Sequence, residues 1–255
     1  MQERPMTLEV ETRFFLPGEH IFGMESEIAR HLNARFKRCY LNPTDIYPNY
    51  SDSSRSGEWF RLRYRKVYTG ERYYIHTGKQ IKRKIGTSEN DYKIEAYLEM
   101  PESVVRNIDE EIMKFGVNNC LTVHGLCRIT YQTYFKNQPI TLSFDSMYSP
   151  HAHYKSLLAS EPPVSFIEVG TEIPINRSRI DIVEIYKKLV RDFIVTRLEG
   201  VLERMDIKHE TKDIYPMILI EQLKSLSLQK QLPITSLISR LYSDCPVHSL
   251  KVEND

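Results

Sequence analysis

Charged residues recur at every second position in several segments of the chain, with apolar or aromatic residues between them. Glu9, Glu11 and Arg13 form one such set, and Arg61, Arg63 and Arg65 form another. Because successive side chains of a strand point to opposite faces, each set lies on one face of a strand. A chain built from such strands has to bury the apolar faces, so the pattern favours an antiparallel sheet with one charged face.

The same pattern, interrupted by turn residues, predicts about eight strands. They lie at residues 8–16, 58–68, 72–77, 79–85, 91–100, 128–135, 140–147 and 165–173. Apolar residues at spacings of three and four predict helices over 18–37, 101–116 and 179–204. We therefore expect a mainly β protein of the α+β class, with helices that flank the sheet.

Acidic residues concentrate in the first and last of these strands, and basic residues in the middle ones. On a single strand, a charged face is ordinarily the face in contact with water. Its repetition over several strands favours a closed, antiparallel, eight-stranded β-barrel with an ionic interior. Desolvated charges need compensation, which a divalent cation would give to the carboxylates and a polyphosphate to the bases.

Composition excludes several other classes. The chain has 255 residues with 35 Lys and Arg against 34 Asp and Glu, a net charge of +1, which excludes a uniformly basic coat protein but allows a local basic channel. Its four cysteines form no C-x-x-C pair, so a zinc motif is not indicated. No signal peptide or apolar run of membrane-spanning length is present, and we expect an intracellular protein without a membrane partner.

The charged segments, taken in order, resemble the triphosphate tunnel metalloenzymes, which include the CYTH proteins and the metal-dependent RNA 5′-triphosphatases of fungi, protists and some viruses. Leu8 to Arg13 resembles the first-strand E-x-E-x-K/R signature, and Gly57 to Arg63 resembles the strand that ends in L-R-x-R. Segments 82–85, 91–101, 128–131, 143–145 and 168–173 are similar to later motifs of the RNA triphosphatase branch. The resemblance covers residues 7–203 and implies a tunnel domain at 1–204, followed by a helical or irregular C-terminal appendage at 205–255.

The resemblance also implies roles for individual residues. The implied metal ligands are Glu9, Glu11 and Glu172, with Mn²⁺ or Mg²⁺ as the cofactor. The implied catalytic residues are Glu99, Arg61 and Arg128, and the implied substrate contacts are Arg13, Arg63, Lys79, Lys82, Lys84 and Lys93. Glu95, Asp145 and Glu168 would hold basic side chains in place around them.

Two of these assignments have open alternatives at this stage. Glu99 would orient or deprotonate the attacking water, but a salt bridge to a basic residue of the interior explains it equally well. The register of residues 66–84 is ambiguous, so Lys79 and Lys84 face either the interior or water. The chain also departs from the family pattern at Leu126, Ser143 and Gly170, where Lys, Arg and Glu are expected.

The leading functional expectation is a metal-dependent RNA 5′-triphosphatase that removes the γ-phosphate of a transcript in mRNA capping. Its partners would be the RNA end, an RNA guanylyltransferase and a second copy of the chain in a homodimer. A cellular capping enzyme would act in the nucleus, and a viral or plasmid-encoded one in the cytoplasm. The alternatives are a tunnel enzyme for tripolyphosphate, thiamine triphosphate or polyphosphate synthesis, and a non-catalytic tunnel that serves as a scaffold.

Overall fold

The computed structural model describes most of the chain between residues 6 and 211. The described ranges are 6–17, 21–48, 58–70, 72–86, 91–106, 110–111, 120–123, 126–147, 164–175 and 182–211. Most of the C-terminal appendage, from residue 212 onward, and Gly57 of the L-R-x-R segment lie outside these ranges.

Ten strands of the described chain form one antiparallel sheet. They are β1 (Met6–Leu16), β2 (Arg35–Pro48), β3 (Glu58–Tyr68), β4 (Tyr73–Lys84), β5 (Glu95–Glu99), β6 (Ser103–Val104), β7 (Cys120–Val123), β8 (Leu126–Phe135), β9 (Gln138–Met147) and β10 (Val164–Ile175). The pairing order is β3-β2-β8-β9-β10-β1-β5-β4-β6, and β7 pairs with β2. The prediction of a mainly antiparallel sheet is confirmed.

Strand β3 pairs with β4 as well as with β2, which brings the two halves of the pairing order together. The β3–β4 register runs from Glu58 opposite Arg83 to Tyr68 opposite Tyr73. The long strands therefore each have a neighbour on both sides, and the sheet curls into an inner and an outer face. The prediction of a closed eight-stranded barrel is wrong. Two expected strands form the single strand β4, β2 was not expected, and β6 and β7 extend the sheet at β4 and β2, so the described strands form a curled ten-stranded sheet.

The turn between β8 and β9 shows how the local sequence sets the register. Lys136 and Asn137 both have a positive φ, at 49° and 63°. Two such residues form the type I′ turn, whose twist matches that of an antiparallel hairpin. The register that follows places Arg128 directly opposite Asp145.

Helices cover the outer face of the sheet. They are α1 (Glu25–His31), α2 (Val183–Phe193), a π-helical segment π1 (Ile194–Leu198) and α3 (Glu199–Arg204), and the last three follow one another without a break. Helix α2 contacts β1, β5 and β10. Leu8 and Val10 of β1 pack with Val190 and Phe193 of α2 in the hydrophobic core, so the apolar half of the strand alternation lies outside the curl.

The predicted helix at 18–37 is wrong in its extent. The helix ends at His31, Asn33 adopts a positive φ of 51°, and β2 begins at Arg35. A left-handed residue cannot continue an α-helix, so the apolar spacing of this segment extended the prediction too far.

Two further boundaries differ from the predictions. Within the predicted helix at 101–116, Ser103 and Val104 form a strand that pairs with Gly78 and Lys79. Pro101 precedes this strand, and edge pairing on β4 takes the place of helical hydrogen bonds. Strands predicted at 72–77 and 79–85 form the single strand β4, because Gly78 lies within it in paired, extended conformation.

Residues 205–211 lie against β1. The backbone of Glu210 exchanges hydrogen bonds of 2.8 and 2.9 Å with Phe15, and the His209 ring packs edge-on against Phe14. Ile207 belongs to the hydrophobic core. The domain boundary after residue 204 stays a prediction. None of the described helices is long and apolar enough to cross a membrane.

Candidate functional site

The charged residues of β1 and β10 lie side by side on the inner face of the sheet. In the register of the pair, Glu9 is opposite Glu172, Glu11 is opposite Gly170 and Arg13 is opposite Glu168. Glu11 and Glu168 are each 7% exposed, so these charges are shielded from water. The alternation seen in the sequence thus gathers acidic groups on one side of the inner face.

Arg128 of β8 is held by two carboxylates of the neighbouring strands. Its Nε and Nη2 donate to the two oxygens of Asp145, each at 2.6 Å, and its Nη1 and Nη2 donate to the two oxygens of Glu168, each at 2.9 Å. Burial alone would lower the pKa of Arg128, but these two carboxylates raise it well above its ordinary value. Four of the five N–H donors of the guanidinium are therefore used within the protein.

Arg13 connects this cluster to β1. Its Nε donates to Glu168 at 2.8 Å, and its Nη2 donates to Glu11 at 3.1 Å. Burial raises the pKa of Glu168, but Arg128 and Arg13 together bring it below its usual range. Both Asp145 and Glu168 thus contact basic side chains, and the role that the resemblance implies for them stays a prediction.

Lys82 of β4 lies among three acidic groups. Its ammonium donates to Glu9 and lies 3.5 Å from Glu99. Burial opposes the charge, but Glu9 and Glu11 raise the pKa of Lys82. Burial likewise raises the pKa of Glu9, yet Lys82 outweighs it and lowers the value to about 2. Glu9 and Lys82 form a charged pair on the inner face.

Glu11 has too little positive charge around it. Burial raises its pKa to about 8, and the negative charges of Glu168 and Glu9 contribute, whereas Arg13 and Lys82 only partly oppose them. Its carboxyl group is therefore largely protonated at neutral pH. Around Glu11, the nearby acidic groups therefore outweigh the nearby basic groups in their effect on its pKa.

The other acidic residues of β5 also contact bases. Lys84 and Tyr97 both donate to Glu95. Burial raises the pKa of Glu99, and Lys82, Arg61 and other bases oppose it. The salt-bridge alternative for Glu99 therefore has direct support in its contact with Lys82.

Strand β3 contributes a row of three arginines to the inner face. Arg61, Arg63 and Arg65 alternate with residues of the outer face, and Arg61 Nε donates to Gln80 of β4. The inner face thus has bases on β3 and β4 and acids on β1, β5 and β10. The acids of β1 and β10 and the bases of β3 and β4 match the division along the sequence, whereas the acids of β5 lie in the middle of the chain.

Two inner-face residues, Arg38 and Tyr40, were missed. The guanidinium carbon of Arg38 lies 4.9 Å from the centre of the Tyr40 ring, and that of Arg65 lies 4.3 Å from it. The position of Arg65 on the inner face could be predicted, because it continues the alternation of Arg61 and Arg63 in the sequence. Arg38 has no such signal, because it falls at the end of a helical apolar pattern.

Lys79 and Lys93 do not lie where the substrate-contact assignment needs them. Lys79 is opposite Leu62 in the β3–β4 register, on the outer face, and its ammonium packs 4.7 Å from the centre of the Phe60 ring. Lys93 is exposed and precedes β5, with a positive φ of 51°. The remaining assigned bases, Arg13, Arg63, Lys82 and Lys84, share the inner face.

The three assigned metal ligands do not fit a metal ion in this arrangement. Glu9 is paired with Lys82, Glu11 contacts Arg13, and Glu172 is exposed at the end of the acidic group. No set of three His, Cys, Asp or Glu side chains within the described ranges could hold an ion. Carboxylate oxygens are ligands that hard cations such as Mg²⁺ prefer. The Lys82 ammonium, however, already occupies the position beside the Glu9 carboxylate where such an ion would bind.

The family departures have local explanations. A Cβ at Gly170 would lie 2.7 Å from the backbone oxygen of Val10 and 3.1 Å from Glu11 Cβ, so no larger residue fits there without movement. Ser143 is 3% exposed and lies 3.5 Å from the hydroxyl of Thr130. At position 143, where the resemblance expects an arginine, the chain thus has a buried serine beside the Thr130 hydroxyl. The third departure, Leu126, is the first residue of β8.

No family model matches the sequence, and the comparison with the curated proteins found no match. Several solved structures resemble the chain at a distance. The PH1819 protein from Pyrococcus horikoshii is 18% identical with a TM-score of 0.47, over 84% of this chain and 99% of that one. A putative adenylyl cyclase from Hippeastrum with a dominant triphosphatase activity is 13% identical, with a TM-score of 0.41 over 80% and 91%. A chain of the Schizosaccharomyces pombe Mediator head module is 9% identical, with a TM-score of 0.44 over 79% and 97%.

Proposed function

We propose that the protein is a phosphohydrolase that acts on the 5′-triphosphate end of RNA. The observation that carries the proposal is the division of the inner face into a basic side on β3 and β4 and an acidic side on β1, β5 and β10. Fixed cations in a water-poor enclosure stabilise the charge that develops on a transferred phosphoryl group.

The proposal requires an enclosed passage rather than an open sheet. The pairing of β3 with β4 supports an enclosed passage, because it joins the first strand of the pairing order to the strand next to its other end. Helices cover the outer face, so the ligand would bind on the inner face. Arg63 and Glu172 both lie on that inner face.

The residues have different tasks in this proposal. Arg61, Arg63 and Lys84 neutralise the phosphate chain, since the arginine fork suits phosphoryl oxygens. Arg128 is a positioning residue, because its donors are directed to Asp145 and Glu168. Glu99 accepts the proton of the attacking water. A carboxylate with a raised pKa is a stronger base than an ordinary one, which suits this task.

Mn²⁺ or Mg²⁺ is the expected cofactor, and such an ion would supply polarisation of the γ-phosphate. We assign no step to it, because Lys82 is paired with Glu9 where the resemblance places the ion. Metal dependence is therefore a separate arm of the experiment.

RNA is preferred among triphosphates because segments 82–85, 91–101 and 168–173 resemble the RNA triphosphatase branch. The same resemblance is the basis for the expected partners, an RNA guanylyltransferase and a second copy of the chain, and for a role in mRNA capping in the nucleus or, for a viral or plasmid-encoded protein, in the cytoplasm. These stay predictions.

Release of labelled phosphate from γ-labelled triphosphate-ended RNA tests the proposal. Wild-type protein should release phosphate, and Glu9→Gln with Glu11→Gln should abolish it, whereas Glu27→Gln on the exposed side of α1 should not. Parallel reactions with tripolyphosphate and thiamine triphosphate, each in Mn²⁺, Mg²⁺ or chelator, identify the substrate and the metal. No release from any triphosphate would overturn the proposal.

A second function is a non-catalytic tunnel that binds a phosphate-bearing partner or serves as a scaffold. The observation in its favour is that the assigned metal ligands Glu9 and Glu11 are paired with Lys82 and Arg13. Calorimetric titration with Mn²⁺ discriminates the two. Absence of metal binding together with absence of hydrolysis would favour the scaffold.

A further inference from the structure

The inner face contains a cluster of two arginines and one tyrosine outside the assigned residues. The guanidinium groups of Arg38 and Arg65 both lie over the Tyr40 ring, and Tyr40 is 4% exposed. Cation–π contact with a buried ring holds each guanidinium plane in place. Both guanidinium groups are thus placed against one aromatic ring, whereas Arg128 is held by two carboxylates.

The register of the sheet places this cluster on the inner face. Tyr40 is opposite Arg128 in β8 and opposite Val67 in β3, and Arg38 is opposite Thr130. Arg65 follows Arg61 and Arg63 along the same face of β3. Since Arg128 contacts Asp145 and Glu168, the cluster borders the ion-pair network but is not part of it.

Arg38 has unused hydrogen-bonding capacity. Its Nε is buried, and no hydrogen-bond acceptor for it lies within the described part of the chain. A buried donor that lacks an acceptor costs free energy, and charged donors cost most. An oxyanion seated on the cluster would satisfy this atom.

A carboxylate of the chain lies next to the cluster. Glu102 Oε2 is 3.9 Å from Arg65 Nη2, and the Glu102 side chain lies over Gly78, where a Cβ would overlap it. Gly78 is opposite Arg63, on the inner face of β4. The absence of a side chain at residue 78 therefore lets Glu102 reach inward from the segment before β6.

We propose that Arg38 and Arg65, whose guanidinium groups both lie over the Tyr40 ring, form an oxyanion subsite for one phosphate group of the substrate, and that the Glu102 carboxylate competes with that group for Arg65. The inference rests on the proposed function in that the ligand is a phosphate chain. The bidentate geometry of arginine suits a phosphate with several free oxygens. A ligand therefore has to interact with Arg65 more strongly than the Glu102 carboxylate does.

Calorimetric titration with inorganic tripolyphosphate in chelator tests the subsite without requiring hydrolysis. Arg38→Gln should weaken binding roughly 10- to 100-fold, the loss of about one charged hydrogen bond. Arg38→Lys should recover part of this loss. Arg35→Gln is the matched control, since Arg35 lies on the same strand with an exposed side chain and should bind like wild type.

Glu102→Gln should strengthen tripolyphosphate binding about fivefold, because it removes the competing charge. Gly78→Ala should act in the same direction, since it displaces the Glu102 side chain and leaves its charge. Equal affinity of Arg38→Gln, Arg35→Gln and wild type would overturn the subsite, and weaker binding by Glu102→Gln would overturn the competition. A protein that binds tripolyphosphate through Arg38 but releases no phosphate from RNA would retain the subsite and lose the proposed function.

Discussion

Replacing Asp145 with alanine should lower the free energy of unfolding by about 3–4 kcal/mol. Asp145 is 0% exposed, and its two oxygens accept hydrogen bonds from Arg128 at 2.6 Å. A hydrogen bond to a charged group contributes about 1.5–3 kcal/mol, so two give about 3–6 kcal/mol. Because Glu168 continues to accept two bonds from Arg128, the buried cation keeps a counter-ion, and the loss lies in the lower half of that range.

Urea unfolding followed by circular dichroism measures this change, with Asp192→Ala as the matched control. Asp192 accepts a hydrogen bond from Lys136 at the same distance of 2.6 Å, but the Lys136 side chain is 59% exposed. A surface pair contributes about 0–1 kcal/mol. If Asp145→Ala cost no more than Asp192→Ala, the Arg128 cluster would not join β8, β9 and β10 as described.

Other perturbations give independent tests. Gly170→Glu restores the carboxylate that the resemblance expects, yet it should destabilise the protein by about 1–3 kcal/mol because its Cβ meets the Val10 oxygen; an unchanged melting temperature would contradict this. The free energy of unfolding should fall as pH rises from 4.5 towards 8, because the folded protein keeps Glu11 protonated up to a pKa of about 8; Glu11→Gln should flatten that slope, and a slope equal to wild type would refute the cause. Below pH 4.5 the sign reverses for Glu9, so stability should decline as its pKa of about 2 is approached; Lys82→Met should remove this contribution in acid titrations of stability.

The charged alternation predicted the sheet because a period of two fixes which side chains share a face. Glu9, Glu11 and Arg13 lie together for that reason, as do Arg61 and Arg63. Strand β2 was missed because its sequence does not alternate cleanly: the register shifts between Leu41 and Thr44, and it follows directly on the apolar spacing of α1.

Partners within the site could not be predicted in the same way. The sequence gives the face of Arg128 but not the two carboxylates that converge on it, since they come from different strands brought together by folding. The same holds for Lys82, whose pairing with Glu9 depends on the order of β1, β5 and β4. For Lys79, one residue of register decided between the inner and the outer face.

The most direct test of the account compares two lysines of β4 that lie three residues apart on opposite faces. Lys82 is on the inner face beside Glu9 and Glu99, and Lys79 is on the outer face against Phe60. The measurement is the rate of γ-phosphate release from triphosphate-ended RNA by Lys82→Gln and Lys79→Gln. We expect Lys82→Gln to lose at least about tenfold in rate, because Glu9 and Glu99 lose the cation that pairs with them beside the phosphate chain, and Lys79→Gln to match wild type. Equal rates for the two variants, or a larger loss for Lys79→Gln, would contradict catalysis on the inner face.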